Sequence, residues 1–130
     1  MKSYRCNQCG HEGPACDFHK EKLRRSGRSQ LCKECCRDKQ LKKNYGISAS
    51  EYDSLFDLQQ GKCAICRSEE TIKRRGKLMK LAVDHDHATG KIRALLCANC
   101  NILLGRARDR VEVLERAITY LKRYREKPCE

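Results

Sequence analysis

Four C-x-x-C pairs divide this sequence and limit what it can fold into. Zinc in a structural site takes four ligands in a tetrahedron, and a C-x-x-C turn brings two thiolates to one ion. Pairing in chain order leaves 22 residues between the first two pairs and 30 between the last two. The spacing therefore predicts two closed structural zinc sites with no position left for water. The eight predicted ligands are Cys6, Cys9, Cys32, Cys35, Cys63, Cys66, Cys97 and Cys100.

The first of these sites leaves a choice of ligands. Cys35 and Cys36 are adjacent, and the tighter knuckle spacing favours Cys35. The substitute ligands that lie nearby in the sequence are His11, Cys16 and His19. The cysteines left over are expected to be simple buried or exposed thiols, and they are Cys16, Cys36 and Cys129.

Metal stapling also suits the composition. The chain has 130 residues, of which 39% are hydrophobic and none is Trp, so it can bury only a thin core. The N-terminus lacks the apolar stretch of a signal peptide, and no segment approaches the roughly 20 apolar residues of a membrane span. We therefore expect a soluble protein of the reducing cytoplasm, with thiols on zinc rather than in disulfides.

The charge is strongly basic. Lys and Arg number 29 against 17 Asp and Glu, a formal net charge of +12. A zinc ion with four thiolates carries about −2, so two such sites would leave roughly +8, which still attracts polyanions. Charge alone is weak evidence, because many basic proteins bind no nucleic acid and a basic run can be an idle solvated face. The candidate phosphate contacts are Arg24, Arg25, Lys42, Lys43, Arg74 and Arg75.

Two helices are predicted in the first half of the chain. Residues 36–45 are rich in helix formers, and Gly46 can end that helix. Ser48 and Glu51 then have the spacing of a capping box, which predicts a second helix that stops at Gly61. The basic stretch before the first helix, residues 20–28, is expected to be a solvated turn or loop.

The second half predicts a hairpin followed by helices. Residues 78–83 and 91–96 have the pattern of strands, a helix begins at Cys97, and residues 67–80 form a charged, turn-like connection. The final helix, about residues 110–126, is expected to pack on the domain through an apolar stripe. That stripe consists of Val111, Leu114, Ile118 and Leu121.

The turn between the two predicted strands carries the most distinctive chemistry. Asp84, His85, Asp86 and His87 place two carboxylates and two imidazoles within four residues, which is hard to explain as core. A polar surface turn, or a third metal site with no structural purpose, would account for the composition alone. A catalytic site is favoured because the cluster ends an apolar strand, lies beside a predicted zinc anchor and has basic surroundings.

These motifs together resemble one family. The combination consists of D-H-D-H at 84–87, T-G at 89–90 and C-x-x-C-N at 97–101, with the flanking stretches 45–48 and 60–66. By this combination the chain resembles the recombination endonuclease VII family of phage-type HNH, or His-Me finger, nucleases. The likeness covers about residues 45–105. It implies a small, zinc-stabilised α+β fold in which a ββα-metal core (47–108) lies between an N-terminal zinc-binding segment (1–46) and a C-terminal helix (109–130).

The resemblance also implies roles for individual residues. Asp84 and Asn101 would be oxygen ligands of one catalytic Mg²⁺ or Mn²⁺, beside the two structural zinc ions. His85 would be the general base that deprotonates the attacking water, and His87 would support it. Arg93 lies near the site and could hold a phosphate. Hard oxygen donors suit Mg²⁺, and an imidazole near neutral pKa can accept a proton. The expected products carry 5′-phosphate and 3′-hydroxyl ends.

The leading hypothesis is therefore a metal-dependent DNA endonuclease or nickase that acts on duplex or branched DNA in a bacterial or phage-infected cell. The alternative is a non-catalytic, zinc-dependent nucleic-acid-binding protein, which would leave Asp84, His85 and Asn101 without a task. A metal-storage or redox protein would explain neither the basic charge nor the closed zinc spacing.

The sequence departs from the family's pattern at two positions. Leu104 stands where the junction-resolving members of the family carry an acidic residue, and Ala94 stands where a Gly is usual. No dimerising extension is recognisable, so monomer and homodimer stay open.

Overall fold

The computed structural model describes residues 1–125 of the chain. Within them, eight short strands form four antiparallel hairpins, and four α-helices complete the fold. The chain divides into two compact units, Met1–Leu58 and Gln59–Glu130. The predicted small α+β class with a C-terminal helix is confirmed. The predicted segment limits at residues 46 and 108 stay predictions.

The first unit is built around cysteines. Its elements are β1 (Tyr4–Arg5), β2 (Glu12–Gly13), a single 3-10 turn (Ala15–Asp17), β3 (Phe18–Lys20), β4 (Arg28–Cys32), α1 (Lys33–Tyr45) and α2 (Ala49–Leu58). Strand β1 pairs with β2 and β3 with β4. Of the basic stretch 20–28, Lys20 and Arg28 pair in the strands and the residues between them form the turn of the second hairpin, as predicted. Phe18 is 1% exposed and packs with three cysteines, which shows how thin the apolar core is.

The two helices of this unit follow the predicted signals with small shifts. Helix α1 begins three residues earlier than predicted and ends at Gly46, whose φ of 73° is the left-handed conformation that glycine adopts without penalty. The capping box is confirmed, since the Ser48 amide donates to the Glu51 carboxylate at 2.7 Å and the Glu51 amide donates to Ser48 Oγ at 3.0 Å. Helix α2 ends at Leu58, before the predicted Gly61. Arg37 of α1 holds Asp53 of α2 through two hydrogen bonds.

The second unit contains a ββα motif. Its elements are β5 (Lys73–Arg74), β6 (Lys77–Leu78), β7 (Ala82–His85), β8 (Ile92–Leu96), α3 (Ala98–Arg106) and α4 (Val111–Arg125). Strands β7 and β8 pair antiparallel, and α3 packs against both of them. This arrangement of hairpin and helix is the predicted core.

The single strand predicted over residues 78–83 is wrong. Leu78 belongs to β6 and pairs with Lys73, and β7 begins only at Ala82. The left-handed residues Arg75 and Gly76, with φ of 51° and 77°, make a tight turn that folds residues 73–78 into a separate hairpin. The turn-like connection predicted over 67–80 therefore contains a hairpin that the hydrophobic pattern does not reveal.

A glutamine side chain holds strand β8 of the ββα motif in place. Leu95 of β8 is fully buried, and Gln59 forms two hydrogen bonds with its backbone. Gln59 Nε2 donates to the Leu95 carbonyl at 2.9 Å, and the Leu95 amide donates to Gln59 Oε1 at 2.9 Å. A side-chain amide thus supplies the pairing that a third strand would otherwise give.

The expected packing of the final helix is also wrong. No residue of α4 is buried, and of its predicted stripe only Leu114 is even partly covered. The buried side chains described in this unit all come from segments before α4, so its core is already closed by the hairpin, α3 and the cysteines. Within residues 1–125, no helix is both long and apolar enough to cross a membrane.

Candidate functional site

Eight cysteines form two clusters, one in each unit. In each cluster the four sulfurs lie within 4.8 Å of one another. The Cys9 and Cys32 sulfurs are 3.8 Å apart, as are those of Cys66 and Cys97. Four thiolates at about 2.3 Å from a tetrahedral zinc are separated by about 3.8 Å, so the clusters fit that ion. Their members are the eight cysteines that the spacing predicted.

The cysteines and histidines outside the clusters have other contacts. Cys36 lies 3.8 Å from the Leu31 carbonyl, whereas Cys35 faces the first cluster. His11 contacts Asp17 through Nε2 at 2.8 Å instead of turning to the cluster. Cys16 is exposed, and Cys129 lies outside the described residues.

Backbone amides prepare one thiol in each cluster for a metal. Amide donors at Cys9 and Cys32 lower the pKa of Cys6 to about 6. Burial alone would raise the pKa of Cys63, but backbone hydrogen bonds from Cys97 and Cys66 outweigh it and lower that pKa to about 6. Because only the thiolate binds zinc, each cluster has one ligand ionised at neutral pH before an ion arrives.

The second cluster lies at the junction of β8 and α3. Cys97 follows the last residue of β8 and caps α3, where its sulfur accepts a hydrogen bond from the Cys100 amide at 3.5 Å. Asn101 comes next in the first turn, and its amide donates to the Cys97 carbonyl at 3.0 Å. The cluster therefore anchors the turn that carries Asn101, whose side chain is exposed.

A buried carboxylate supports the same turn. Glu70 is 8% exposed and accepts hydrogen bonds from the Thr71 and Ile72 amides and, at 2.7 Å, from the Ala98 amide that begins α3. Burial would raise the pKa of Glu70, but these three donors lower it below its usual value. Glu70 could not be predicted from the sequence, since nothing local distinguishes it from Glu69 and the Ala98 amide that it binds is 28 residues away.

The turn of the β7–β8 hairpin is folded by one of its own carboxylates. Asp86 Oδ1 accepts hydrogen bonds from the Ala88 and Thr89 amides at 2.8 and 2.9 Å. These bonds hold the pKa of Asp86 below its ordinary value. The Gly90 amide, at a φ of 72°, donates to the Asp86 carbonyl at 2.7 Å. Asp86 therefore stabilises the turn through bonds to its backbone, whereas Asp84 binds no amide of this turn in the hydrogen bonds described.

Asp84 is buried at the end of β7 and is held by an arginine. It is 7% exposed, and Arg93 donates to its two oxygens at 2.6 and 2.9 Å. The ladder pairs Asp84 with Ala94 and His85 with Ile92, so Arg93 is an extra residue in β8. In a regular ladder Arg93 would face away from Asp84, and the bulge turns it toward the carboxylate. This ion pair raises the pKa of Arg93 above its usual value.

Arg93 has a second acidic neighbour. Its Nη2 lies 3.4 Å from both carboxylate oxygens of Asp109, in the turn between α3 and α4. Arg93 is therefore already engaged by two carboxylates, which weakens its predicted use as a phosphate contact.

The two histidines of the motif lie side by side. The rings of His85 and His87 meet edge to face with centroids 4.8 Å apart. His85 is partly covered at the end of β7, whereas His87 is exposed in the turn. The hairpin end thus presents a buried carboxylate and an imidazole at successive positions, and α3 packs on that hairpin with Asn101 in its first turn.

Comparison with protein-family models assigns the chain to a family. The model described as recombination endonuclease VII matches residues 38–123, about two thirds of the chain, and it includes the hairpin, α3 and the second cysteine cluster. The chain belongs to the recombination endonuclease VII family.

Two relatives come from Mycobacterium phages, and one similar solved structure is a restriction endonuclease. This endonuclease VII family member is 40% identical over 114 residues to the Gene 59 protein of Mycobacterium phage D29, and 40% identical over 112 residues to that of Mycobacterium phage L5. The matches cover 87% and 85% of this chain but only 63% and 62% of those relatives. The crystal structure of the beta-beta-alpha-Me type II restriction endonuclease Hpy99I is 28% identical, with 94% of this chain and 66% of that one covered, at a TM-score of 0.43.

Proposed function

We propose that this protein is a metal-dependent DNA endonuclease or nickase whose site lies at the end of the β7–β8 hairpin and the start of α3. The observation that carries the proposal is the placement of Asp84 and His85 at the end of β7, with α3, whose first turn carries Asn101, packed on the same hairpin. Membership of the recombination endonuclease VII family supports it. The alternative, a non-catalytic nucleic-acid binder, gives His85 and Asn101 no task and leaves Asp84 only its ion pair with Arg93.

Each residue has a defined part in the proposed hydrolysis. Asp84 and Asn101 supply oxygen ligands for one Mg²⁺ or Mn²⁺. Such an ion, when bound, polarises the scissile phosphate and stabilises the leaving 3′ oxygen. His85 accepts the proton of the attacking water, and His87, 4.8 Å from it between ring centroids, supports that imidazole. The resulting ends would be a 5′-phosphate and a 3′-hydroxyl.

The donor set fits a hard divalent cation. A carboxylate offers about four lone-pair sites, and the two hydrogen bonds from Arg93 occupy only two of them. Asp84 therefore keeps capacity for an ion while its orientation is fixed. A site with one carboxylate and one amide leaves most coordination positions to water and phosphate oxygens, as Mg²⁺ sites in nucleotide chemistry do.

The two cysteine clusters are proposed to hold structural zinc. Their sulfur spacing matches a tetrahedral ion, and all four positions in each are filled by thiolates. The second cluster has a further consequence for catalysis. By fixing Cys97 and Cys100 it fixes Asn101 against the hairpin, which is the preorganisation that such a site needs.

DNA binding is proposed to depend most on the β5–β6 hairpin. Arg24 is paired with Glu21 at 2.8 Å and Lys42 with Asp38 at 2.7 Å, so both are partly neutralised. Arg74 and Arg75 are exposed on the hairpin and, within residues 1–125, take part in no ion pair. Arg25 and Lys43 are likewise exposed and stay candidates. A side-chain cation that has no acidic partner releases more counterions from the DNA when it binds a phosphate.

Removing the hairpin cations should weaken DNA binding without base preference. We expect Arg74→Ala with Arg75→Ala to reduce the slope of log affinity against log salt by about 2, because each lost phosphate contact contributes about 0.9. Fluorescence anisotropy with a labelled duplex, between low and physiological salt, measures this slope. The matched control is Arg24→Ala with Lys42→Ala, which removes two paired cations and should change the slope less. Equal slopes for the two double variants would contradict the assignment.

A plasmid-nicking assay tests the proposed activity. The zinc-loaded full chain is incubated with supercoiled plasmid, with and without added Mg²⁺ or Mn²⁺, and the cut ends are tested with a ligase. Conversion to nicked or linear plasmid that depends on the added ion, with ligatable 5′-phosphate ends, supports the endonuclease. No cleavage by correctly zinc-loaded protein that still binds the plasmid favours the non-catalytic binder.

The substrate and the cellular setting are also proposals. The chain spans under two thirds of the length of the phage relatives it matches. Duplex and branched DNA are the substrate classes to compare, inside a phage-infected bacterial cell. A panel of linear, nicked, branched and single-stranded substrates separates them.

A further inference from the structure

Asp109 has a contact that the proposed reaction does not use. Its carboxylate lies 3.4 Å from Nη2 of Arg93, the arginine that holds Asp84. The side chain of Asp109 is 27% exposed, so the contact is partly shielded from solvent. Arg93 thus lies between two acids, and the three side chains together carry a net charge of −1.

The backbone around Asp109 adopts an uncommon conformation. Arg108 and Asp109 have φ of 53° and 54°, two successive non-glycine residues in the left-handed region. Asp is among the few residues that tolerate this conformation, because its short polar side chain can bond locally. The Asp109 amide donates to the Leu104 carbonyl at 3.0 Å, which closes the end of α3. The turn therefore holds the carboxylate beside the hairpin at a conformational cost, as functional sites often do.

The other end of the contact is also specially built. Arg93 reaches the acids only because it is the extra residue of the β8 bulge, which turns its side chain toward Asp84. Two irregular features, a bulge and a left-handed turn, thus converge on one guanidinium. A stabilising surface ion pair would require neither of them.

The second carboxylate beside Arg93 has an electrostatic consequence for cation binding at Asp84. A guanidinium hydrogen-bonded to both oxygens of Asp84 orients that carboxylate, but its positive charge repels a divalent cation that binds the same group. A second carboxylate on the far side of the guanidinium offsets that repulsion. With Asp109 the group keeps a net negative charge, and without it the net charge is zero.

We infer that Asp109 is a positioning residue of the nuclease site, which acts through Arg93 to let Asp84 be held rigidly and still bind a divalent cation. The inference rests on the proposed function. It assigns a task to the α3–α4 turn, which the hydrolytic chemistry itself does not require.

The test compares Asp109→Asn with Glu112→Gln. Both changes remove one negative charge, but Glu112 lies on α4 and its partner is Arg110, at 3.6 Å. Mn²⁺ binding to the zinc-loaded full chain is followed by the loss of the free-ion EPR signal, since Mn²⁺ does not displace zinc from thiolates. We expect the Mn²⁺ dissociation constant to rise about 3- to 10-fold for Asp109→Asn and less than about 2-fold for the control.

DNA binding without added divalent metal gives a second readout with the opposite sign. Removing an acid that faces Arg93 leaves the guanidinium more available to phosphate, so Asp109→Asn should bind duplex as tightly as Glu112→Gln or more tightly. A merely structural role would weaken Mn²⁺ and DNA binding together. Asp109→Gly removes the carboxylate while favouring the left-handed turn, so it should weaken Mn²⁺ binding as Asp109→Asn does.

Several results would overturn the inference. Equal Mn²⁺ affinities for Asp109→Asn and Glu112→Gln would do so, as would normal Mn²⁺ binding by Asp109→Gly, which would assign the effect to the turn. If these results come with a wild type that binds Mn²⁺ and nicks plasmid, only the role of Asp109 fails. A wild type that neither binds Mn²⁺ nor nicks would end the proposed function and this inference with it.

Discussion

Replacing His85 with alanine is expected to reduce plasmid nicking by about 10²- to 10⁴-fold, the usual contribution of a general base. The imidazole ends β7 next to the buried Asp84, and of the four histidines in the sequence only His87 lies beside it in the same hairpin. DNA affinity and zinc content should not change, because His85 belongs to neither cysteine cluster.

Two further histidine variants separate the roles. His87→Ala removes the exposed neighbour and should cost less activity than His85→Ala, since His87 is proposed to support the base and not to accept the proton. His19→Ala, an exposed histidine on β3, is the matched control and should leave nicking unchanged. Full activity in His85→Ala, or an equal loss in all three variants, would contradict the assignment of the base.

The second large effect is expected from the cluster beside the site. Cys97→Ser should abolish zinc binding at the second cluster and unfold much of residues 59–125. Structural zinc contributes roughly 10–16 kcal/mol of apparent binding free energy, which is as large as or larger than the roughly 5–15 kcal/mol by which a domain is usually stable. The buried side chains of this unit are too few to replace it, and three of the four cluster cysteines are among them.

Zinc content by elemental analysis and amide hydrogen exchange measure the effect of Cys97→Ser. One zinc per chain should remain, and the lost protection should cover β7, β8 and α3 while α1 keeps its protection. Cys36→Ser is the control, because that thiol lies outside the first cluster and its sulfur is near the Ser29 hydroxyl and the Leu31 carbonyl. Two retained zinc ions in Cys97→Ser, or equal damage in Cys36→Ser, would show that the clusters do not carry the fold.

The features predictable from the sequence are those encoded by local spacing. The C-x-x-C pairs, the Ser48–Glu51 capping box and the glycine that ends α1 each depend on residues a few positions apart. The ββα order followed from two apolar runs around a polar turn and a helix start. The structure retains these features because each motif forms within one turn or one hairpin.

The features that were missed depend on contacts between distant residues. Glu70 and Ala98 are 28 positions apart, and Arg93 and Asp109 are 16 apart, so no local pattern announces either pair. The bulge at Arg93 changes a side chain's direction without changing the composition of the strand. The exposed apolar side of α4 was missed for the opposite reason, since its helical periodicity is strong but the core that would cover it is already closed.

The most direct test concerns whether Asp84 and Asn101 share a cation. Backbone amide signals of the zinc-loaded, ¹⁵N-labelled chain are recorded while Mn²⁺ is added below one equivalent, because the bound ion broadens nearby nuclei. We predict selective broadening at residues 84–87 and, together with them, at 100–102, with both effects lost in Asp84→Ala. Broadening at only one of the two segments, or broadening that persists in Asp84→Ala, would contradict the proposed site.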